Sequence, residues 1–232
     1  VVYYHGGGFV LGNLDSHHSL CSEIAAALDL PVVSVDYRLA PEHPCPAAPD
    51  DCEAATRWLA GSPDALGRAV TGLIQMGDSA GGNLAIVTTR ALLAEPAAVP
   101  VVVQVPIYPA TDGREDHPSY QDFGEGYLLT RDSMDWFFRS YAGEAGNPRA
   151  FPIHGDHERT PPTVLVTAGL DPIRDGGRAY AAQLVLAGTE VVFLEMAGTI
   201  HGFVNVRKIL PSAQADLEAI LAAIRLLLAR GG

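Results

Sequence analysis

Long apolar runs are missing from this sequence. No stretch reaches the roughly 18 residues that a bilayer span needs, so no membrane span is expected. The most apolar segment, LEAILAAIRLLLAR, is interrupted by Glu218 and Arg225 and reads as an amphipathic helix docked on a core. Cationic clusters are missing as well. The 15 lysines and arginines are scattered among 27 acidic residues, for a net charge of −12. Nothing there could neutralise a row of phosphates, so nucleic acid is not expected as a partner. Cysteine is scarce: Cys21, Cys45 and Cys52 are odd in number and show no CxxC spacing. That argues against a disulfide framework or a zinc site, and no metal is expected. Reduced thiols in the cytoplasm are the simplest expectation. No signal peptide, internal repeat or low-complexity segment is found. Val1 opens inside an apolar run, so the sequence is expected to lack its natural beginning.

What is present is globular. Hydrophobic residues make up 48% and charged residues 18% of 232 positions, enough for one domain with a sizeable core. Short β-branched runs alternate with helical stretches. The runs predict strands at Val1 to Tyr4, Pro31 to Tyr37, Leu73 to Met76, Val101 to Tyr108, Thr163 to Ala168 and Glu190 to Glu195. Helices are expected over Ser16 to Leu28, Pro49 to Leu59, Gly82 to Ala94, Arg178 to Ala187 and Ser212 to Ala229. Continuously apolar strands are those covered on both faces, and the β-α-β rhythm implies an α/β fold with a mostly parallel sheet. One stretch breaks the rhythm. Thr111 to Thr160 is rich in aromatics and far longer than an ordinary connection. It reads as a helical cap that walls a pocket, or as an excursion with its own small core.

The sharpest local signal is Gly77-Asp78-Ser79-Ala80-Gly81, an instance of GxSxG. The strand LIQM leads in and an alanine-rich helix leads out, the strand–turn–helix setting of a nucleophile elbow. The helix N-terminus behind Ser79 supplies positive potential where an oxyanion would form. A second signal, His5-Gly6-Gly7-Gly8, follows the first strand directly. Glycines let backbone N–H groups approach a developing negative charge closely. No Lys-Ser/Thr follows, as a phosphate loop requires, and the spacing of a dinucleotide fingerprint is absent. A loop of this type is the expected companion of the elbow. His5 itself reads as a structural residue that holds the loop.

Chain order in such a machine runs Ser, then Asp or Glu, then His. Asp171 follows the strand TVLVTA, and His201 follows the strand VVFLEM. Asp175 is the rival acid, but it precedes Gly176 and a helix and reads as an N-cap. The expected triad is therefore Ser79, His201 and Asp171. His201 would take the serine proton, and Asp171 would fix the imidazole tautomer.

At this point the residues resemble a family. HGGGFVLG at His5, DYRLAPEHPCPA at Asp36, GDSAGGNLA at Gly77, GLDPIRD at Gly169 and HGF at His201 are similar to the hormone-sensitive-lipase-like esterases, the bacterial family IV lipolytic enzymes. The resemblance implies the α/β-hydrolase fold, with helices on both faces of the sheet. It implies a serine carboxylesterase acting on short- to medium-chain carboxylic esters without a cofactor. It places the oxyanion hole at the amides of Gly7, Gly8 and Ala80, with Gly6 as a further candidate, and it favours Asp171 over Asp175. It allows a homodimer through the edge of the last strand. Family members carry additional residues before the HGGG strand, so two strands and part of the cap are expected to be missing here. An amidase, arylformamidase or deacetylase using the same triad stays open, as does a non-catalytic ligand-binding protein. Tyr127, Leu128, Trp136 and Phe203 are candidates for the pocket wall, with ordinary core packing as the alternative for each.

Overall fold

In a computed structural model that describes residues 1–114 and 116–230, six strands form one sheet. They are β1 (Val2–Tyr4), β2 (Val33–Val35), β3 (Leu73–Asp78), β4 (Val101–Ile107), β5 (Thr163–Leu170) and β6 (Val191–Ile200). Their order is β2-β1-β3-β4-β5-β6, and every pairing is parallel. Parallel neighbours need crossovers, and helices supply them. These are α1 (Leu14–Leu28), α2 (Ala47–Ala60), α3 (Ala80–Ala94) and α6 (Arg174–Leu186), with α7 (Ala213–Arg230) closing the chain. The long segment after β4 holds two further helices, α4 (Pro118–Asp122) and α5 (Arg131–Tyr141).

The two-residue period of the strands sorts side chains into two cores. Tyr3, Ile74, Met76, Val103 and Val105 point to the face covered by α1 and α7, where Leu20, Ile24, Leu217 and Ile224 meet them. Val2, Tyr4 and Leu73 point the other way, onto Cys52 and Leu59 of α2 and Leu84 of α3. Tyr180 and Leu184 of α6 extend that second face under β5 through Leu165 and Ile86. Each fully buried aliphatic side chain contributes about 1.5–3 kcal/mol, so both faces hold the sheet. None of the helices among the described residues is long and apolar enough to cross a membrane. Cys21, Cys45 and Cys52 are unpaired.

Several element ends differ from expectation. β2 is three residues long where seven were expected. β6 runs on to Ile200, its register with β5 shifting between Ala168 and Leu170. α6 begins four residues early, at Arg174. Its Gly176-Gly177 pair is a close-packing site rather than a breaker: a Cβ on Gly177 would meet Thr167 Cγ2 of β5 at 2.7 Å.

Candidate active site

Four strand C-termini deliver the site. The loop His5 to Gly8 leaves β1, Ser79 follows β3, Asp171 follows β5 and His201 follows β6. Crevices at the carboxyl ends of such strands are where open α/β sheets bind ligands.

Ser79 sits at φ 56°, ψ −119°, a conformation that costs an ordinary residue on the order of 1–3 kcal/mol. Its surroundings enforce it. Its N–H donates to the Ile107 carbonyl at 2.9 Å, and its carbonyl accepts from the Asn83 N–H at 3.1 Å. The turn also demands glycine at 81, because a Cβ there would lie 1.9 Å from the Tyr4 carbonyl oxygen. The strain lifts Oγ out of the strand and toward His201.

The three side chains from distant parts of the chain form one relay. Ser79 Oγ lies 2.8 Å from His201 Nε2. His201 Nδ1 donates to Asp171 Oδ2 at 2.7 Å, which leaves Nε2 as an acceptor for the serine hydroxyl. The other oxygen of Asp171 accepts from the Ile173 N–H at 3.0 Å. Asp171 is fully buried, and His201 is 8% exposed. The Tyr108 ring packs on the imidazole, 4.6 Å between centroids. Chemically, the relay can draw a proton from Ser79 onto Nε2 while the carboxylate stabilises the imidazolium.

Asp175 does not touch His201. It lies in the first turn of α6, whose N-cap position is Ile173. The N-cap reading is thus corrected: Asp175 instead accepts from the Ser119 N–H at 2.9 Å, at the start of α4, and pairs with Arg174 and Arg178. Burial alone would raise its carboxyl, but those partners outweigh it and hold the group below the usual carboxylate range. Ser119 Oγ also donates to the Pro172 carbonyl at 2.9 Å, so α4 braces the Asp171 loop.

The glycine loop is aimed by its neighbours. The Gly6 carbonyl is held by His5 Nδ1 at 2.9 Å, and the Gly7 carbonyl accepts from Val10 and Leu11 at 3.1 and 2.8 Å. Those bonds fix the peptide planes that carry the Gly7 and Gly8 N–H groups. Gly7 has φ 126°, and a Cβ there would meet the Leu11 carbonyl oxygen at 2.1 Å. The amides of Gly7, Gly8 and Ala80 donate to no protein acceptor among the described residues. Gly6 differs: its N–H donates to Asp78 Oδ1 at 2.9 Å. Gly6 is therefore corrected from a candidate oxyanion donor to an anchor of the loop. His5 is buried beneath, stacked on Tyr37 at 4.3 Å, and burial lowers its pKa from the ordinary histidine value.

A cavity of about 450 Å³ opens over Ser79 and His201. Its wall is mainly apolar and comes from Leu11, Leu128, Leu129, Met134, Phe137 and Phe138. Of the four expected wall residues, Leu128 lines it and the other three do not. Phe203 is fully buried in the core against Tyr108, because the turn at Gly202 swings it under the sheet. Trp136 is 45% exposed on the outer side of α5, and Tyr127 packs on Phe123. Residues that sequence reasoning missed are Met134, Phe137 and Phe138 of α5, and Asn205 just beyond His201. The Phe137 ring presses on the glycine loop, where a Cβ on Gly8 would be 2.3 Å from it. The Thr130-x-x-Ser133 capping box, which starts α5, was the available signal.

A strained serine, a histidine–carboxylate relay and unpaired backbone amides are the parts of a serine-hydrolase-type centre on a parallel sheet. A family model described as alpha/beta hydrolase fold matches residues 1–205. The ethyl acetate hydrolase of Pseudomonas putida is 38% identical over 229 residues, 97% of this chain and 72% of that protein. Carboxylesterase NlhH of Mycobacterium tuberculosis is 38% identical over 232 residues, again 97% of this chain and 72% of the relative. An esterase structure from Pyrobaculum calidifontis superposes with a TM-score of 0.91 at 41% identity, covering 98% of this chain and 76% of that one. The chain belongs to the α/β-hydrolase family.

Proposed function

We propose that this protein is a serine carboxylesterase that hydrolyses short- to medium-chain carboxylic esters by two-step acyl transfer. The observation that carries the reading is the unbroken relay from Ser79 Oγ through His201 to Asp171. Ser79 Oγ attacks the ester carbonyl carbon as its proton passes to His201 Nε2. The carbonyl oxygen becomes an oxyanion facing the amides of Gly7, Gly8 and Ala80. The C–O bond then breaks, the alcohol leaves with the proton from Nε2, and Ser79 is left acylated. Water gives its proton to Nε2 and its oxygen to the acyl carbon. The acid departs and Ser79 recovers its proton. The apolar wall supports an uncharged acyl chain as substrate, and the names of the relatives, an ethyl acetate hydrolase and a carboxylesterase, support an ester. The segment 111–160 acts as the wall-forming cap, with α5 as its working part.

The test is turnover of p-nitrophenyl esters of increasing acyl length against matched anilides, with Ser79→Ala as control. Ester turnover that Ser79→Ala abolishes sustains the proposal. Faster turnover of anilides makes the protein an amidase, and no turnover of either by a folded chain rejects the triad. The same proposal includes a cytoplasmic setting, supported by three unpaired thiols. It also includes a homodimer through the free edge of β6, supported by the exposed Phe193, Val185 and Leu186 beside it. A monomer in sedimentation velocity at micromolar concentration would reject that dimer.

A further inference from the structure

We propose that Asp78 is a positioning residue, whose carboxylate aims the oxyanion loop and couples it to the loop that carries His201. The inference rests on the acyl-transfer reading above.

Asp78 stands beside the nucleophile, at the end of β3, on the floor of the cavity, and its side chain is held in a polar nest with Gly6, His17 and Asn205. It is 2% exposed. Oδ1 accepts from Tyr3 Oη at 2.7 Å and from the Gly6 N–H at 2.9 Å, with His17 Nε2 at 3.2 Å. Oδ2 accepts from Asn205 Nδ2 at 3.0 Å and, more weakly, from Tyr108 Oη at 3.4 Å. One buried group thus joins β1, the glycine loop, α1, the end of β4 and the turn after His201. Burial would raise its carboxyl, but the bonds from His17, Tyr3 and Gly6 outweigh it and keep the group below the usual carboxylate range. A carboxylate suits this nest because it has acceptor sites only.

The consequence for chemistry runs through Gly6. Its N–H is fixed by Asp78 and its carbonyl by His5, so the peptide unit that bears the Gly7 N–H has no freedom to turn. There is no slack beneath it either: a Cβ on Gly6 would lie 2.5 Å from Asp78 Oδ2. Asn205 extends the hold to the far side of the site, four residues beyond His201. The donors that meet an oxyanion and the base that meets Ser79 are referenced to the same two oxygen atoms.

Asp78→Asn keeps the shape and replaces one acceptor by an NH₂ donor, which then faces a donor already in place. Misaiming one oxyanion donor should lower kcat about 100-fold while KM stays within about threefold. Rates are expressed per active site, titrated with a p-nitrophenyl phosphonate. The inhibition constant of a short alkyl boronic acid, whose tetrahedral adduct places an oxygen in the oxyanion hole, should rise by the same factor. A merely structural role would lower the melting temperature and the titratable fraction, and leave kcat per site and boronate affinity at wild-type values. That result would overturn the proposal. If Asp78→Asn does not fold, Tyr3→Phe decides. It deletes one hydroxyl outside the cavity and should lower kcat and boronate affinity together by a few-fold; no change in either rejects the proposal. Failure of the wild type on every ester would reject the acyl-transfer reading instead.

Discussion

Asp171→Asn tests the relay most directly, because the structure limits what the new amide can do. Asp171 serves two donors, the His201 Nδ1–H at 2.7 Å and the Ile173 N–H at 3.0 Å. An asparagine has one acceptor oxygen and must choose. If the oxygen keeps Ile173, the NH₂ faces Nδ1, the ring holds its proton on Nε2, and His201 cannot accept from Ser79. If the oxygen keeps His201, the NH₂ is buried against the Ile173 N–H. Leaving a buried donor unsatisfied costs about 1–3 kcal/mol. In that second state the bond to the imidazolium is no longer charge-assisted, which removes about another 2 kcal/mol of transition-state stabilisation. The sum, about 4 kcal/mol, corresponds to a fall in kcat of about 10³-fold. The assay is initial-rate hydrolysis of p-nitrophenyl butyrate, with circular dichroism to establish folding. Asp175→Asn is the companion. It touches Ser119, Arg174 and Arg178 but not His201, so it should lower the melting temperature and keep kcat within about threefold of wild type. The reasoning is refuted if folded Asp171→Asn retains more than a tenth of wild-type kcat, or if Asp175→Asn loses more activity than Asp171→Asn.

Two further outcomes follow from the wall and from the paired carboxylates. Phe137→Ala removes the ring that presses on Gly8 and enlarges the cavity, so the ratio of kcat/KM for p-nitrophenyl octanoate over butyrate should rise about tenfold; an unchanged ratio means the acyl chain runs elsewhere. Acid should unfold the protein in a defined window. Glu195 is held below the usual carboxylate range by the Arg178 guanidinium, and Asp78 and Asp175 are held low against the opposing effect of burial. Groups with depressed folded values add stability that is complete above the unfolded value, about pH 4, and is lost as pH falls through the folded values. His5, its pKa lowered by burial, loses stability as pH falls below the ordinary histidine value of about 6.5, so melting temperature should decline gently from there and steepen below about pH 4 as these carboxylates protonate; no steepening below about pH 4 would refute their part.

The sheet and the relay were legible because both are written in local signals. A parallel strand buried on both faces must be a continuous apolar run, and β1, β3 and β5 are such runs, ending beside His5, Ser79 and Asp171; His201 follows the half-covered edge strand β6. The wall was not legible, and α5 shows why. Trp136 and Phe137 are adjacent in sequence and both aromatic, yet a helix sets neighbours about 100° apart. One is 45% exposed and the other lines the cavity. Which is which depends on the rotational phase of the helix, and that phase is set where the Thr130–Ser133 capping box starts it and where Met134 and Tyr141 bury its inner side. Composition marks such a segment as a wall but carries no phase.

Gly6 shows the same limit at the scale of a single hydrogen bond. Three consecutive glycines are chemically identical in the sequence, and each offers one N–H. Only the fold separates them, because the side chain of Asp78, 72 positions away, reaches across from the end of β3 and takes the first. The pairing of β1 with β3 makes that reach possible, since Tyr4 stands opposite Gly77 and Asp78, the last residue of β3, comes level with the start of the glycine loop. The difference between a glycine whose N–H is bound and two whose N–H groups stay unpaired is thus a property of strand register. A change that slipped β1 against β3 would part Gly6 from Asp78 while leaving every motif in the sequence intact.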